Sequence, residues 1–160
     1  MSERPGRKLL AILDETRECR AAVLFAAHRA RETGGGLVLL HVMEPLDPAL
    51  WSALGASARA EAEATREALI ETYLVLAAAA YGAPPEVQRR EGDIRTEITR
   101  LLDADRAIKI LVLGAGVGRE GPGPLVAALA RGGLSSSARS IPITVVPGDL
   151  NDTEIAALAA

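Results

Sequence analysis

Five glycines lie within a ten-residue stretch of the chain, directly after an apolar run that ends at Leu113. A glycine backbone can approach an anion closely, and the N–H groups at the start of a following helix can bind a phosphate. We name this stretch, residues 114–123, the glycine loop; its glycines are Gly114, Gly116, Gly118, Gly121 and Gly123. The composition of the loop predicts either a mononucleotide or other anionic ligand, or a turn with a purely structural role.

The glycine loop lacks the context of two other phosphate-binding motifs. Residues 116–121 fit the pattern Gly-x-Gly-x-x-Gly, but they follow the fourth apolar strand, and no acid lies about 20 residues further on. Pro122 and Pro124 also interrupt the start of the next helix. The sequence therefore disfavours a dinucleotide site, and it excludes a P-loop because Gly-x4-Gly-Lys-Ser/Thr does not occur.

Two further groups of polar side chains could contact a ligand. Asp14 ends the first apolar run and could either bond a ribose hydroxyl or cap the helix that follows. Ser135, Ser136 and Ser137 follow the short helix after the glycine loop. These hydroxyls could cap that helix, contact a phosphate or accept a phosphoryl group.

The remaining reactive residue types do not form a recognisable catalytic set. His28 and His41 are too isolated for a metal site, and His41 lies inside an apolar strand, which favours a structural role. Cys19 falls on the apolar stripe of a helix and is interpreted as a small core residue. We predict no catalytic residues and no metal ligands, although a slow ATPase stays open because a bound triphosphate needs few groups to hydrolyse slowly.

Composition sets the class of protein. A chain of 160 residues with 49% hydrophobic residues predicts one globular domain with its own core. A net charge of −3, aromatic residues at 2% and no dense Lys/Arg run disfavour nucleic-acid binding. A single cysteine favours a reducing compartment, and no apolar stretch reaches the roughly 18 residues of a membrane span. We therefore expect a cytoplasmic protein without a signal peptide.

Apolar periodicity predicts alternating strands and helices. The expected strands are 8–13, 37–43, 86–91, 108–113 and 141–146, and the expected helices are 17–32 (capped by Thr16), 50–81, one capped by Asp93, and 125–130. Strand 86–91 has few apolar residues and is expected at a sheet edge. A tail, 151–160, follows the domain at 1–150 and begins with a possible capping box at Asn151 and Glu154.

Alternating strands and helices predict an α/β fold, a doubly wound five-stranded parallel sheet with helices on both faces. In such sheets, ligands bind at the carboxyl ends of strands where strand order reverses, here between the first and fourth strands. Asp14 ends the first strand and Gly114 follows the fourth. The two most distinctive features are therefore expected to meet at one place.

The motifs of the chain, in order, resemble those of the universal stress protein family. The matching segments are KLLAILDET, LVLLHVMEP, REGDIRTEITRLLDA, ILVLGAGVG and IPITVVPG, and together they cover about 8–148. The resemblance implies a flavodoxin-like, Rossmann-like sheet of strand order 3-2-1-4-5 and a homodimer in which the last strands pair. It also implies that the protein could bind an adenine nucleotide, since some members bind ATP and others do not.

The resemblance transfers to this chain only in part. Asp14 matches the first-strand acid, Val42 the adenine contact on the second strand, and Leu113 and Gly114 the start of the phosphate loop. The second glycine of the family's motif would fall at Val117. Gly116 and Gly118 flank that position. The motif's closing Gly-Ser/Thr pair would fall near Ala127 and Ala128, and the nearest candidates, Gly133 and Ser135, are neither adjacent nor in register. The sequence departs from the ATP-binding pattern where the phosphates should be held.

The sequence thus favours a dimeric, cytoplasmic regulatory protein of the stress response whose state responds to ATP or AMP, with Mg²⁺. The expected nucleotide contacts are Asp14, Val42, Leu113, Gly114, Gly116, Gly118, Ser135, Ser136 and Ser137. An alternative is a scaffold of the same fold that binds a protein partner, which the sequence does not identify, and no nucleotide. The weaker alternative is the slow ATPase.

Overall fold

The computed structural model describes residues 6–44, 47–53, 55–134 and 139–160. Its elements in chain order are β1 (Lys8–Leu13), α1 (Cys19–Thr33), β2 (Gly36–Met43), α2 (Pro48–Ala53), α3 (Ala56–Tyr81), β3 (Glu86–Glu91), α4 (Ile94–Ala104), β4 (Ile108–Ala115), α5 (Pro124–Gly132), β5 (Ile143–Pro147) and α6 (Asp152–Ala159). The strands form one parallel sheet of order β3-β2-β1-β4-β5. The predicted fold class and strand order are confirmed.

Strand β1 is central because both of its faces are apolar. Successive side chains of a strand point to opposite faces of the sheet. Leu9, Ala11 and Leu13 belong to one core cluster, with α1, α3 and α6. Leu10 and Ile12 belong to the other, with α4 and α5. This two-sided burial explains the apolar run without alternation that predicts the strand.

Helix α1 packs closely because its buried surface is mostly alanine. Eight of its 15 residues are buried, and five of these are alanines. Small side chains let the helix backbone lie near the sheet on one side and near α3 and α6 on the other. Gly34 ends the helix in the left-handed conformation, with a φ of 67°.

Three local predictions are wrong, each for a physical reason. Thr16 does not cap α1, because its N–H and hydroxyl both donate to Asp14, and the helix begins only at Cys19. The expected helix 50–81 is two helices, α2 and α3. The reason is that Gly55 has an extended backbone, with a ψ of 165°, and is the N-cap of α3. Pro124 does not interrupt α5 but begins it, since the first turn of a helix needs no N–H at that position.

The tail of the chain docks on its own domain. Asn151 and Glu154 form the predicted capping box at the start of α6. Ile155 is 1% exposed and belongs to the core cluster that contains α1. The Arg20 guanidinium forms a bidentate ion pair with the carboxylate of Asp152, with a nitrogen–oxygen distance of 3.0 Å for the longer bond. Helix α6 is therefore held against α1 by burial as well as by charge.

The N-cap of α4 generates a prediction for stability and its pH dependence. The Asp93 carboxylate accepts hydrogen bonds from the backbone N–H and the hydroxyl of Thr96, and these bonds hold the pKa of Asp93 below its ordinary value. Asp93→Ala should lower the free energy of unfolding by about 1 kcal/mol at pH 7, measured by urea denaturation.

The stability difference between the wild type and Asp93→Ala should disappear in acid. Because the folded-state pKa of Asp93 is lowered, the cap contributes fully above the unfolded pKa of about 3.9 and is lost as the pH falls through the folded value. Asp93→Asn is the control, since an asparagine also caps and should stay near the wild-type stability. A difference between the wild type and Asp93→Ala that is constant down to pH 2 would contradict this account.

Candidate functional site

The carboxyl ends of β1 and β4 border two adjoining spaces. The first, the inner cavity, has a volume of about 40 Å³ and lies between Asp14, Cys19, Leu113, Gly114, Gly123 and Val126. The second, the outer cleft, has a volume of about 870 Å³ and lies between Thr16, Glu18, Gly116, Gly118, Gly148 and Asp149. The inner cavity holds a few waters at most. The outer cleft is within the usual size range of small-molecule sites.

The carboxylate of Asp14 is fixed by the residues that follow it. Its Oδ1 accepts a hydrogen bond of 2.9 Å from the N–H of Thr16 and a second one from the Thr16 hydroxyl. Among the described residues, no donor reaches Oδ2 of Asp14. The side chain is half-buried and borders the inner cavity. Asp14 is therefore oriented by a local turn and keeps one oxygen that a ligand hydroxyl can use.

The glycine loop satisfies part of its own hydrogen-bonding capacity. The N–H of Gly116 donates to the carbonyl of Pro122 at 3.1 Å, and the N–H of Gly121 donates to the carbonyl of Gly118 at 3.1 Å. Across the sheet, the N–H of Gly148 donates to the carbonyl of Ala115 at 2.9 Å. These N–H groups are not available to a phosphate. The shape of the loop is consequently set by the chain itself.

The start of α5 supplies the donors that the glycine loop does not. The helix begins at Pro124 after Gly123, whose φ of 103° suits only glycine. Leu125 and Val126 lie in its first turn, where N–H groups have no partner within the helix, and both residues border the inner cavity. The N-terminal end of a helix attracts negative charge. An anion at this place would meet two N–H groups and a favourable dipole.

Glu18 is the residue that fills the space made by the glycines. A Cβ atom at Gly114 would overlap the carbonyl oxygen of Glu18, and one at Gly148 would lie 2.6 Å from the Glu18 Cβ. Both glycines are thus needed because the first turn of α1 lies against the ends of β4 and β5. Sequence patterning gave no sign of this, since an acid at the start of a helix ordinarily indicates a solvated position.

The structure brings most of the predicted contacts to these two spaces. Asp14, Leu113 and Gly114 border the inner cavity, and Gly116 and Gly118 border the outer cleft. Val42 borders neither of them. It lies one residue beyond His41, which pairs with Leu13, and so stands at the level of Asp14 on the adjacent strand. The predicted contacts Ser135, Ser136 and Ser137 lie outside the described residues.

The outer cleft has a mixed but slightly acidic border. Two arginines, Arg17 and Arg119, stand against three carboxylates, Glu18, Glu120 and Asp149. Asp149 is a residue that the sequence interpretation overlooked, because it follows the last strand and no motif marks it. Opposite charges at one cleft suit a ligand with both donors and an anionic group. They do not form the single-sign basic field that a polyphosphate attracts.

Cys19 and His41 have environments that fit structural roles. Burial raises the pKa of the Cys19 thiol to about 11, so the thiolate is scarce at neutral pH. Burial, together with the charge of Arg66, lowers the pKa of His41. The His41 Nδ1 has no hydrogen-bond partner in the described part of the chain, so one ring nitrogen is left unsatisfied there.

The described residues contain no group of three or more His, Cys, Asp or Glu side chains placed to hold a metal ion. Within the same ranges, no helix has both the length and the apolar character that crossing a bilayer requires.

A doubly wound sheet with a ligand-sized cleft at its switch point defines a flavodoxin-like α/β protein. The model of the universal stress protein family matches residues 6–130. The chain therefore belongs to the universal stress protein family, as its motifs indicate. No curated protein matches the chain by sequence.

Solved structures of the family share the fold at low sequence identity. The chain is similar to the universal stress protein UspA of Lactobacillus plantarum, with a TM-score of 0.68 at 18% identity over 90% of this chain and 99% of that one. It is also similar to a universal stress protein in complex with cAMP, with a TM-score of 0.61 at 16% identity over 91% and 100%. A third is a family protein from Arabidopsis thaliana with AMP bound, with a TM-score of 0.55 at 15% identity over 88% and 91%.

The contact between Glu18 and the strand ends predicts that two glycines of the same loop differ in their tolerance of a side chain. Gly114→Ala should destabilise the protein by about 1–3 kcal/mol, because the added Cβ meets backbone that cannot rotate away. Gly118→Ala is the matched control: its Cβ would meet no atom within 4 Å, and its φ is not positive. That variant should stay within about 0.5 kcal/mol of the wild type. The free energy of unfolding is measured by thermal and urea denaturation. If both variants lost the same amount, the contact between Glu18 and the strand ends would not explain the need for glycine at position 114.

Proposed function

We propose that the protein is a dimeric regulatory protein, acting in the cytoplasm in the stress response, that binds an adenine nucleotide in the outer cleft. The observation that carries the proposal is a cleft of about 870 Å³ at the switch point, bordered by the glycine loop and Pro124 at the start of α5, with Asp14 at the inner cavity that adjoins it. The bound cAMP and AMP named for two structural relatives support the choice of ligand class. No catalytic step is proposed.

The chemistry of each part suggests its role. Asp14 would accept a hydrogen bond from a ribose hydroxyl on Oδ2, because Oδ1 is occupied by Thr16. The main chain at Leu113 and Gly114 would lie beside the sugar, and Val42 would offer an apolar surface to the base. Gly116 and Gly118 would border the phosphate, together with the hydroxyls of Ser135–Ser137. A monophosphate fits these residues better than a triphosphate, since two N–H groups of the loop, those of Gly116 and Gly121, donate within the loop.

We propose that Mg²⁺ binds only together with a nucleotide that carries more than one phosphate. The border of the outer cleft carries more acids than bases, so a triphosphate would bring further negative charge to an already acidic place. A divalent cation would travel with the phosphates and reduce that charge. AMP needs no such ion.

The edge strand β5 supports the proposed homodimer. It pairs with β4 on one side only, at the end of the sheet. Ile143 is 40% exposed and Val145 is 45% exposed, which is unusual for a strand of this apolar composition. An unpaired apolar edge is a template for pairing with another chain. A second copy that offers the same strand across a twofold axis would cover both side chains.

One observation favours a second candidate function, a scaffold that binds a protein partner and no nucleotide. The glycine loop closes on its own hydrogen bonds, from Gly116 to Pro122 and from Gly121 to Gly118. A loop that needs no ligand to hold its shape could present a fixed surface to a partner. Val117, 60% exposed at the tip of the loop, would be its apolar contact.

Titration calorimetry with AMP, cAMP, ADP and ATP tests nucleotide binding. We expect binding of AMP in the micromolar to millimolar range, and Asp14→Ala should weaken it about tenfold, since a hydrogen bond to a charged group contributes roughly 1.5–3 kcal/mol. Glu63→Gln, an exposed position on α3, is the control and should bind as the wild type does. Absence of heat and of any thermal shift at millimolar ligand would favour the scaffold.

Sedimentation equilibrium tests the dimer. Val145→Glu places a charge on the proposed interface and should convert the dimer to a monomer, because burying an unpaired carboxylate is strongly unfavourable. Val75→Glu is the matched control, since Val75 is 63% exposed on α3 and lies away from β5. A wild-type chain that is monomeric at micromolar concentration, or a Val145→Glu variant that stays dimeric, would refute the interface.

A further inference from the structure

Glu18 is a half-buried residue whose carboxylate has no partner among the described residues. In the described part of the chain it forms no hydrogen bond and no ion pair, and it makes no capping bond to the start of α1. The arginines at the outer cleft, Arg17 and Arg119, are both solvent-exposed and form no ion pair with it within the described ranges. No contact among the described residues therefore explains the position of the carboxylate.

The glycine loop is arranged around this carboxylate. Oε1 of Glu18 lies 3.6 Å from the position that a Cβ of Gly116 would take, and 3.2 Å from that of a Cβ of Gly123. The oxygen thus lies beside two glycines of the loop, and one of them, Gly123, directly precedes α5. Glu18 also borders both the inner cavity and the outer cleft. Leu125 and Val126, in the first turn of α5, border the inner cavity as well.

An acidic oxygen at this place acts on a ligand through size and through charge. Oε1 occupies space beside Gly116 and Gly123 that a phosphate oxygen approaching these glycines would otherwise enter. A phosphate that stays in the outer cleft would be a few ångströms from a like charge, and such repulsion is strong where solvent is partly excluded. The repulsion grows with each added phosphate. A neutral nucleoside does not experience it.

We propose that Glu18 determines which ligands the outer cleft accepts by occupying the anion position of the glycine loop with its own carboxylate. The cleft then selects nucleosides and nucleoside monophosphates over di- and triphosphates, and Glu18 is a specificity-determining residue. This inference rests on the proposed function for the identity of the base. The exclusion of phosphate chains by Glu18 is a separate property that a phosphate probe can test alone.

The experiment uses the full chain, its variants Glu18→Gln and Glu18→Ala, and the control Glu63→Gln. Glu18→Gln removes the charge and keeps the shape, Glu18→Ala removes both, and Glu63→Gln makes the same charge change at an exposed, remote site. Adenosine, AMP, ADP, ATP and inorganic tripolyphosphate are titrated without divalent cation by calorimetry. The melting temperature and circular dichroism of each variant check folding, which should be retained because Glu18 makes no capping bond.

In the wild type we expect AMP and adenosine to bind more tightly than ATP. In Glu18→Gln, the ratio of ATP to AMP affinity should rise by at least about tenfold, as removal of one nearby like charge requires. Glu63→Gln should leave the ratio unchanged. A rise in the ratio of ATP to AMP affinity in Glu18→Ala alone also supports the proposal, and it assigns the effect to the size of the side chain. An unchanged ratio in both Glu18 variants, or weaker ATP binding in Glu18→Gln, overturns it.

Tripolyphosphate separates this inference from the proposed function. If no adenine compound binds any variant but tripolyphosphate binds Glu18→Ala and not the wild type, the proposed nucleotide function fails and the role of Glu18 stands. If AMP binds equally to all variants and tripolyphosphate binds none, the nucleotide function stands and the role of Glu18 is refuted. If nothing binds to any variant, both proposals are wrong.

Discussion

The first turn of α1 lies directly against the backbone where β4 and β5 end, and the rest of the candidate site depends on this contact. Gly114 and Gly148 permit it, because a Cβ at either position would meet Glu18. The contact fixes Asp14, which precedes the turn, and the glycine loop, which follows β4. It also sets the start of α1, which is joined to α6 by the ion pair between Arg20 and Asp152. One close approach thus ties the site to the core.

Most of the fold can be predicted from the sequence because its main determinants are local. The apolar run of β1, the weakly apolar β3 and the Asp93 cap are each visible within a few residues, and all three are observed. The break at Gly55 was not predicted, since an apolar stripe continues across it and one glycine in a helical pattern is often tolerated. The role of Pro124 was misjudged because a proline at a helix start looks the same in sequence as one that ends a helix.

The location of the candidate site can be predicted from the sequence, but the contacts of its individual residues cannot. A parallel sheet brings the ends of β1 and β4 together, so Asp14 and Gly114 could be assigned to one place from topology alone. The atoms that lie next to each glycine are set by the tertiary structure and not by the local sequence. Gly114 and Gly118 are equivalent in the sequence pattern, yet one faces Glu18 and the other faces open space. Glu18 itself lies only four residues after Asp14, and no local pattern marks it as a residue that enters the loop.

The self-contained hydrogen bonding of the glycine loop has a consequence for how the choice of ligand can change. Because Gly116 and Gly121 donate within the loop, its conformation does not require a bound molecule for support. The conformation of the loop and the choice of ligand would then depend on different residues, because the role proposed for Glu18 does not involve the hydrogen bonds that hold the loop. Under that proposal, a change of the Glu18 side chain alone would alter the ligand of the cleft while the sheet and the loop keep their shape.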